Sequence, residues 1–232
     1  MSNVKNPSPE VLTETIKACI ANGHRLDDDS GYLEFQQPPS LQLYVLLIAQ
    51  EEFAKALILL LVRNNIIPFS RPLLRAMNDH ACKQLVGIIM DYIIMRWDTI
   101  EEAMELIRAD SDLGEQLPLA IESAVVLLRF EKIGRWESDS WDWDKPPAYD
   151  SGAKKIFEGN ADRRKQNALY VRVGGDGRVC QSDTVTSEEI GREKERLRDF
   201  GRLVDTLLND EEAPHRYDKT SSFIRAVFAQ RV

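Results

Sequence analysis

At 232 residues the chain suits one domain, or one with an elaborated C-terminal part, and it can bury about 70% of its unfolded surface without disulfide or metal staples. A formal net charge of −8 excludes a global attraction for nucleic acid, although a local cluster of cations can still hold phosphate. Cys19, Cys82 and Cys180 show neither an even count nor CxxC spacing, which argues against a disulfide framework or a cysteine zinc site and for a reducing cytoplasm.

The opening stretch, MSNVKNPSPEVLTE, has no basic segment ahead of an apolar run, so no leader peptide is expected. Ser8 and Pro9 make a helix start, and Val11, Leu12, Ile16 and Ile20 carry the stripe to about Gly23. Asp27 to Pro39 is polar, with Gly and Pro-Pro punctuation, and reads as a connection.

Residues 41–62, LQLYVLLIAQEEFAKALILLLV, then form an apolar segment with Glu51, Glu52 and Lys55 at its middle. A membrane span would pay several kcal/mol for those charges (roughly 2.5–3.5 for each Asp, Lys or Arg on insertion scales), so the segment reads as a buried helix over about 40–64 and no membrane association is expected. A helix apolar nearly all round needs partner helices on every side, and its charges survive only if paired.

NNIIPFS makes a short turn, and Ser70 with Pro72 starts a helix that the pattern carries to about Trp97. Asp98 with Glu101 is a capping box, and LPLAIESAVVLLRF gives a further apolar helix to about Arg135. Residues 136–150 read as an ordered loop or lid anchored by its aromatics, followed by a helical stretch to about Asn167.

ALYVRVGGDGRVCQ, residues 168–181, is the one β-hairpin pattern, with Gly174 to Gly177 as its turn and Tyr170 expected to be buried with its hydroxyl bonded. Thr186 with Glu189 opens a long charged helix to about Leu208, and a short one covers 219–230. His24 and His215 fall in expected loops without evident partners. Lys154, Lys155, Arg163, Arg164 and Lys165 are either a phosphate-binding patch or an ordinary solvated helix face.

The expected fold is therefore an all-α antiparallel bundle with a small hairpin near residues 168–181. Residues 1–135 form its core, and 136–232 pack on the same domain. The short link between the helices at 40–64 and 70–97 predicts an αα-hairpin, in which Glu51 and Glu52 fall opposite Lys83, and Lys55 opposite Asp79. Arg75, Asp79 and Lys83 would share one stripe, with His80 beside it. The buried polar network so predicted is Glu51, Glu52, Lys55, Asp79, His80 and Lys83. It can simply hold the core together, or it can act. Arg75 and His80 offer a cation and an imidazole, the pair that metal-independent RNA cleavage needs to stabilise the phosphorane and to take the 2′-hydroxyl proton.

Three blocks carry a family resemblance. LQLYVLLIAQEEFAKALILL, ending in Glu51-Glu52-x-x-Lys55-Ala56, resembles the signature helix of the AbiV family of bacterial abortive-infection proteins. Asp79-His80-x-x-Lys83 resembles that family's His-x-x-Lys element, and KQNALYVRVGGDGRVCQSDTVTSEEI its Lys-x-x-x-Leu-Tyr-Val block with the helix that follows. The family is grouped with the HEPN superfamily, helical domains of prokaryotic defence systems, many of which dimerise and cleave RNA. The resemblance implies a HEPN-like bundle, a cytoplasmic homodimer, and Arg75 and His80 as a catalytic pair with Asp79 beside the histidine.

Two functions stay open: a phage-defence ribonuclease, or a non-catalytic module that senses a phage product or blocks host translation. No cofactor is called for. A carboxylate-bridged metal site is disfavoured because no Glu-x-x-His pair is present on two helices, and Lys55 and Lys83 would repel the ion.

Overall fold

In the computed structural model the described residues are 6–98, 117–137, 147–173, 175–180, 185–209 and 218–229. They are predominantly helical. Helix α1 (Pro9–Gly31) begins with the Ser8 hydroxyl accepting from the Val11 amide, and α2 (Ser40–Arg63) lies along it. Then come α3 (Arg71–Asn78) and α4 (His80–Asp98). A further helix, α5 (Leu119–Val126), continues into a π-helix (Leu127–Gly134) and a last turn at Arg135–Glu137. The C-terminal part comprises α6 (Ser151–Phe157), α7 (Asn160–Leu169), α8 (Ser187–Asn209) and α9 (Asp218–Ala229).

Helix α2 is central because its sequence leaves no polar face to turn outward. Leu43, Leu46, Phe53, Leu57 and Leu60 are all buried, and α1, α4, α7 and α8 pack around them. Burial of one such side chain contributes about 1.5–3 kcal/mol, so α2 is the main contributor to the hydrophobic core. No helix among the described residues is long and apolar enough to cross a membrane.

The first expected helix stop is overturned. Helix α1 runs on to Gly31 because Gly23 is a packing residue: a Cβ there would sit 2.5 Å from Cε1 of Phe53, so the glycine lets α1 close on α2. His24 accordingly lies on a helix, not in a loop, and its Nε2 is 2.9 Å from Asp205 of α8.

The expected continuous helix over 70–97 is also two helices. Asp79 has extended backbone (φ −89°, ψ 125°), and its Oδ1 accepts from the Cys82 amide, capping α4. Arg75, Asp79 and Lys83 therefore share no stripe.

Val173 pairs with Val179 and Arg172 with Cys180, an antiparallel ladder of two residues per strand. Tyr170, expected buried, is 66% exposed, since this ladder packs no sheet face over it. The Thr186 hydroxyl accepts from the Glu189 amide at 3.2 Å, the N-cap half of the expected capping box, while the Glu189 carboxylate is paired with Arg164. Glu101 of the expected Asp98–Glu101 box, Trp141 and Trp143, Gly174 and His215 lie outside the described residues.

Candidate functional site

Three helices deliver ionisable side chains to one point: Glu51 from the buried middle of α2, His80 and Lys83 from the first turn of α4, and Lys165 from α7. Asp79, by capping α4, fixes where its first turn starts and so where His80 stands. Gly159, with φ 81°, makes the left-handed turn between α6 and α7 that brings Lys165 back against α2.

The carboxylate of Glu51 is the hub. Its Oε2 accepts from Lys83 Nζ at 2.8 Å and lies 2.7 Å from His80 Nδ1. Its Oε1 accepts from Lys165 Nζ at 2.9 Å. Lys165 Nζ in turn lies 2.7 Å from His80 Nδ1 and 3.2 Å from Asp162 Oδ1. Glu51 and Lys165 are each 3% exposed and Lys83 8%, whereas the His80 side chain is 44% exposed. With Nδ1 engaged on the inner side, the Nε2 edge of His80 is the accessible one.

Burial on its own would raise the Glu51 pKa, but the charges and hydrogen bonds of Lys83 and Lys165 outweigh it and hold the carboxyl below its ordinary value. At Asp79 burial again raises, and is outweighed by the Cys82 amide and by Lys132. Burial pushes the Cys82 thiol far up, which removes it as a nucleophile.

The structure thus joins Glu51, His80 and Lys83 and leaves the other expected members elsewhere. Lys55 does not reach Asp79; its ammonium is 2.6 Å from Glu52, one turn back on its own helix. Asp79 is paired instead with Lys132 of the π-helix at 3.3 Å, because the break at Asp79 turns the carboxylate toward that element. Arg75 stacks its guanidinium 4.6 Å over the Trp136 ring and is bonded to neither Asp79 nor His80. Of the basic cluster at 154–165, Lys165 is buried in the hub and Arg164 is paired with Glu189, while Lys154, Lys155 and Arg163 are exposed.

Lys165 is the residue that sequence reasoning misplaces. The available signal is its position at the head of the Lys-x-x-x-Leu-Tyr block, which is the third of three blocks that here meet at one carboxylate. Next to the hub lies a cavity of about 160 Å³, with Glu51, Lys83 and Gln84 among its polar lining and Leu43, Leu47 and Phe200 among its apolar lining. Among the described residues no group of three or more His, Cys, Asp and Glu side chains is placed to hold a metal ion.

A buried carboxylate on one imidazole nitrogen, with the other nitrogen accessible, is an arrangement suited to proton transfer. Two lysines behind it keep the carboxylate ionised. Comparison of the chain with family models, curated proteins and solved structures gives no match.

Proposed function

We propose that this chain is a phage-defence protein of the AbiV abortive-infection type, a HEPN-like helical domain that cleaves RNA without a metal. It would work in the cytoplasm as a homodimer. The observation that carries the reading is the Glu51–His80 pair: Nδ1 lies 2.7 Å from a carboxylate that is 3% exposed, on a ring that is 44% exposed. The residues of that pair come from the first two blocks of the family resemblance, and Lys165 of the third stands against both.

In this reading His80 Nε2 takes the proton of a ribose 2′-hydroxyl. The 2′-oxygen bonds to phosphorus, the bond to the 5′-oxygen breaks, and that oxygen leaves with a proton from the imidazolium that His80 has become, giving a 2′,3′-cyclic phosphate and a 5′-hydroxyl. The charge developing on the phosphoryl oxygens needs a cation. Arg75, exposed on α3, is the candidate, held in orientation by Trp136. In a dimer, two copies of each residue would surround one phosphodiester.

The test is cleavage of a short RNA by the purified protein. Products ending in cyclic phosphate, abolished by a 2′-deoxy substitution at the scissile nucleotide and by His80→Ala in a protein that still melts cooperatively, support the reading. Absence of cleavage by the wild type, or cleavage untouched by His80→Ala, rejects it.

One observation favours the non-catalytic alternative, a module that binds a phage or host protein. Tyr170, Val171, Val173 and Val179 are all strongly exposed on or beside the short ladder, a concentration of apolar side chains that core packing does not use. Loss of protection from phage on replacing these residues, with His80→Ala fully active, would select that reading.

A further inference from the structure

His80 Nδ1 has two close neighbours that make opposite demands on it. Glu51 Oε2, at 2.7 Å, can only accept a hydrogen bond, so it calls for a proton on Nδ1. The Lys165 ammonium, also at 2.7 Å, can only donate, so it calls for a lone pair there. A neutral imidazole carries one proton and cannot satisfy both.

A third group completes the arrangement. Asp162 Oδ1 is buried, stands 3.2 Å from Lys165 Nζ, and accepts no hydrogen bond. The ion pair lacks hydrogen-bond geometry as it stands, so a turn of the same ammonium would complete it. An N–H of Lys165 can thus be aimed at His80 Nδ1, as here, or turned to complete the bond to Asp162, while its bond to Glu51 Oε1 at 2.9 Å is common to both arrangements.

We propose that Lys165 is a positioning residue that sets which ring nitrogen of His80 carries the proton, by alternating between His80 Nδ1 and Asp162 Oδ1. With Lys165 on Nδ1, the arrangement seen here, the proton is on Nε2 and the accessible edge of the ring is a donor. When Nδ1 takes up a proton and donates to Glu51, Lys165 turns to Asp162, and Nε2 releases its own proton to water. One proton enters and one leaves. The accessible edge is then a lone pair able to act as a base. Lys83, bonded to Glu51 Oε2 at 2.8 Å, keeps that oxygen stabilised in both states.

The use of this switch in RNA cleavage rests on the function proposed above, but the switch itself does not. It gives one site the two proton states that a base step and an acid step require.

The test is ¹⁵N NMR of ring-labelled histidine in buffer well above the ordinary histidine pKa of about 6.5. In the wild type, Nδ1 of His80 should show the shift of an unprotonated ring nitrogen and Nε2 that of a protonated one. In Lys165→Met the assignment should exchange, leaving Nδ1–H on Glu51. A wild-type spectrum with Nδ1 already protonated overturns the proposal and needs no variant, so failure of Lys165→Met to fold does not shield it. A folded Lys165→Met protein that keeps the wild-type pattern overturns it too, because a merely structural lysine would alter the melting temperature and not the tautomer. Loss of the nuclease reading in the cleavage assay leaves these spectra, and what they decide about Lys165, unchanged.

Discussion

Among the described residues two histidine–carboxylate pairs are of nearly equal length, and they differ in almost everything else. His80 and Glu51 are 2.7 Å apart, with a carboxylate that is 3% exposed and two ammonium groups on it. His24 and Asp205 are 2.9 Å apart, with both side chains more than 40% exposed. In the first pair the surroundings fix the charge of the carboxylate and the orientation of the ring. In the second, water competes for both partners, and the His24 ring is placed mainly by its edge contact with Phe53, at a centroid distance of 5.1 Å. Distance between partners therefore says little about what a pair can do. The dielectric around it decides.

The largest effect that this contrast predicts is at Glu51. Glu51→Gln leaves Lys83 and Lys165 buried without their common counter-charge and should destabilise the protein by about 3–5 kcal/mol, measured by urea unfolding. A loss under about 1 kcal/mol would place the pair in the same class as the exposed His24–Asp205.

The same group gives a pH dependence with a definite sign. The folded-state pKa of Glu51 lies below its ordinary value of 4.5, so near that pH the native protein binds fewer protons than the unfolded chain. Its contribution to stability is complete above 4.5 and is lost as the pH falls through the lower, folded value. In Glu51→Gln this part of the acid slope should be missing from the melting-temperature profile.

Around His24 the expected sensitivity is to packing. Gly23→Ala puts a Cβ 2.5 Å from Phe53 Cε1, and the overpacking should cost about 1–3 kcal/mol despite the better helix propensity of alanine, as urea unfolding would show. The smallest effect is Asp205→Asn, which removes only the exposed charge and should change stability by about 0–1 kcal/mol in a thermal melt.

The legibility of the chain follows the same division between local and distant causes. Helix α2 is readable because an apolar segment interrupted by Glu51, Glu52 and Lys55 admits few other interpretations. The caps at Ser8, Ser70 and Thr186 are readable because capping is a contact over three residues. Gly23 reads falsely as a stop, since a glycine that permits close approach has the same local signature as one that ends a helix. Asp79 hides as an N-cap because the apolar stripe continues on both sides of it.

At the site, the opposition of Glu51 and Lys83 follows from helix rise and the length of the turn. The place of Lys165 does not, since it lies 114 residues from Glu51 in sequence, and apart from its position at the head of the Lys-x-x-x-Leu-Tyr block nothing local distinguishes it from the exposed Lys154 and Lys155. The partner of Asp79, Lys132, sits on a π-helix, a geometry that no periodicity in LLRFEKIG announces.

The decisive comparison sets His80→Ala beside His24→Ala in the RNA-cleavage assay, each alongside its thermal melt. If the buried carboxylate makes His80 a working proton carrier, His80→Ala abolishes cleavage while His24→Ala, the same substitution in the exposed pair, retains it. Equal rates in the two variants, or loss of cleavage that only follows loss of folding, would contradict it.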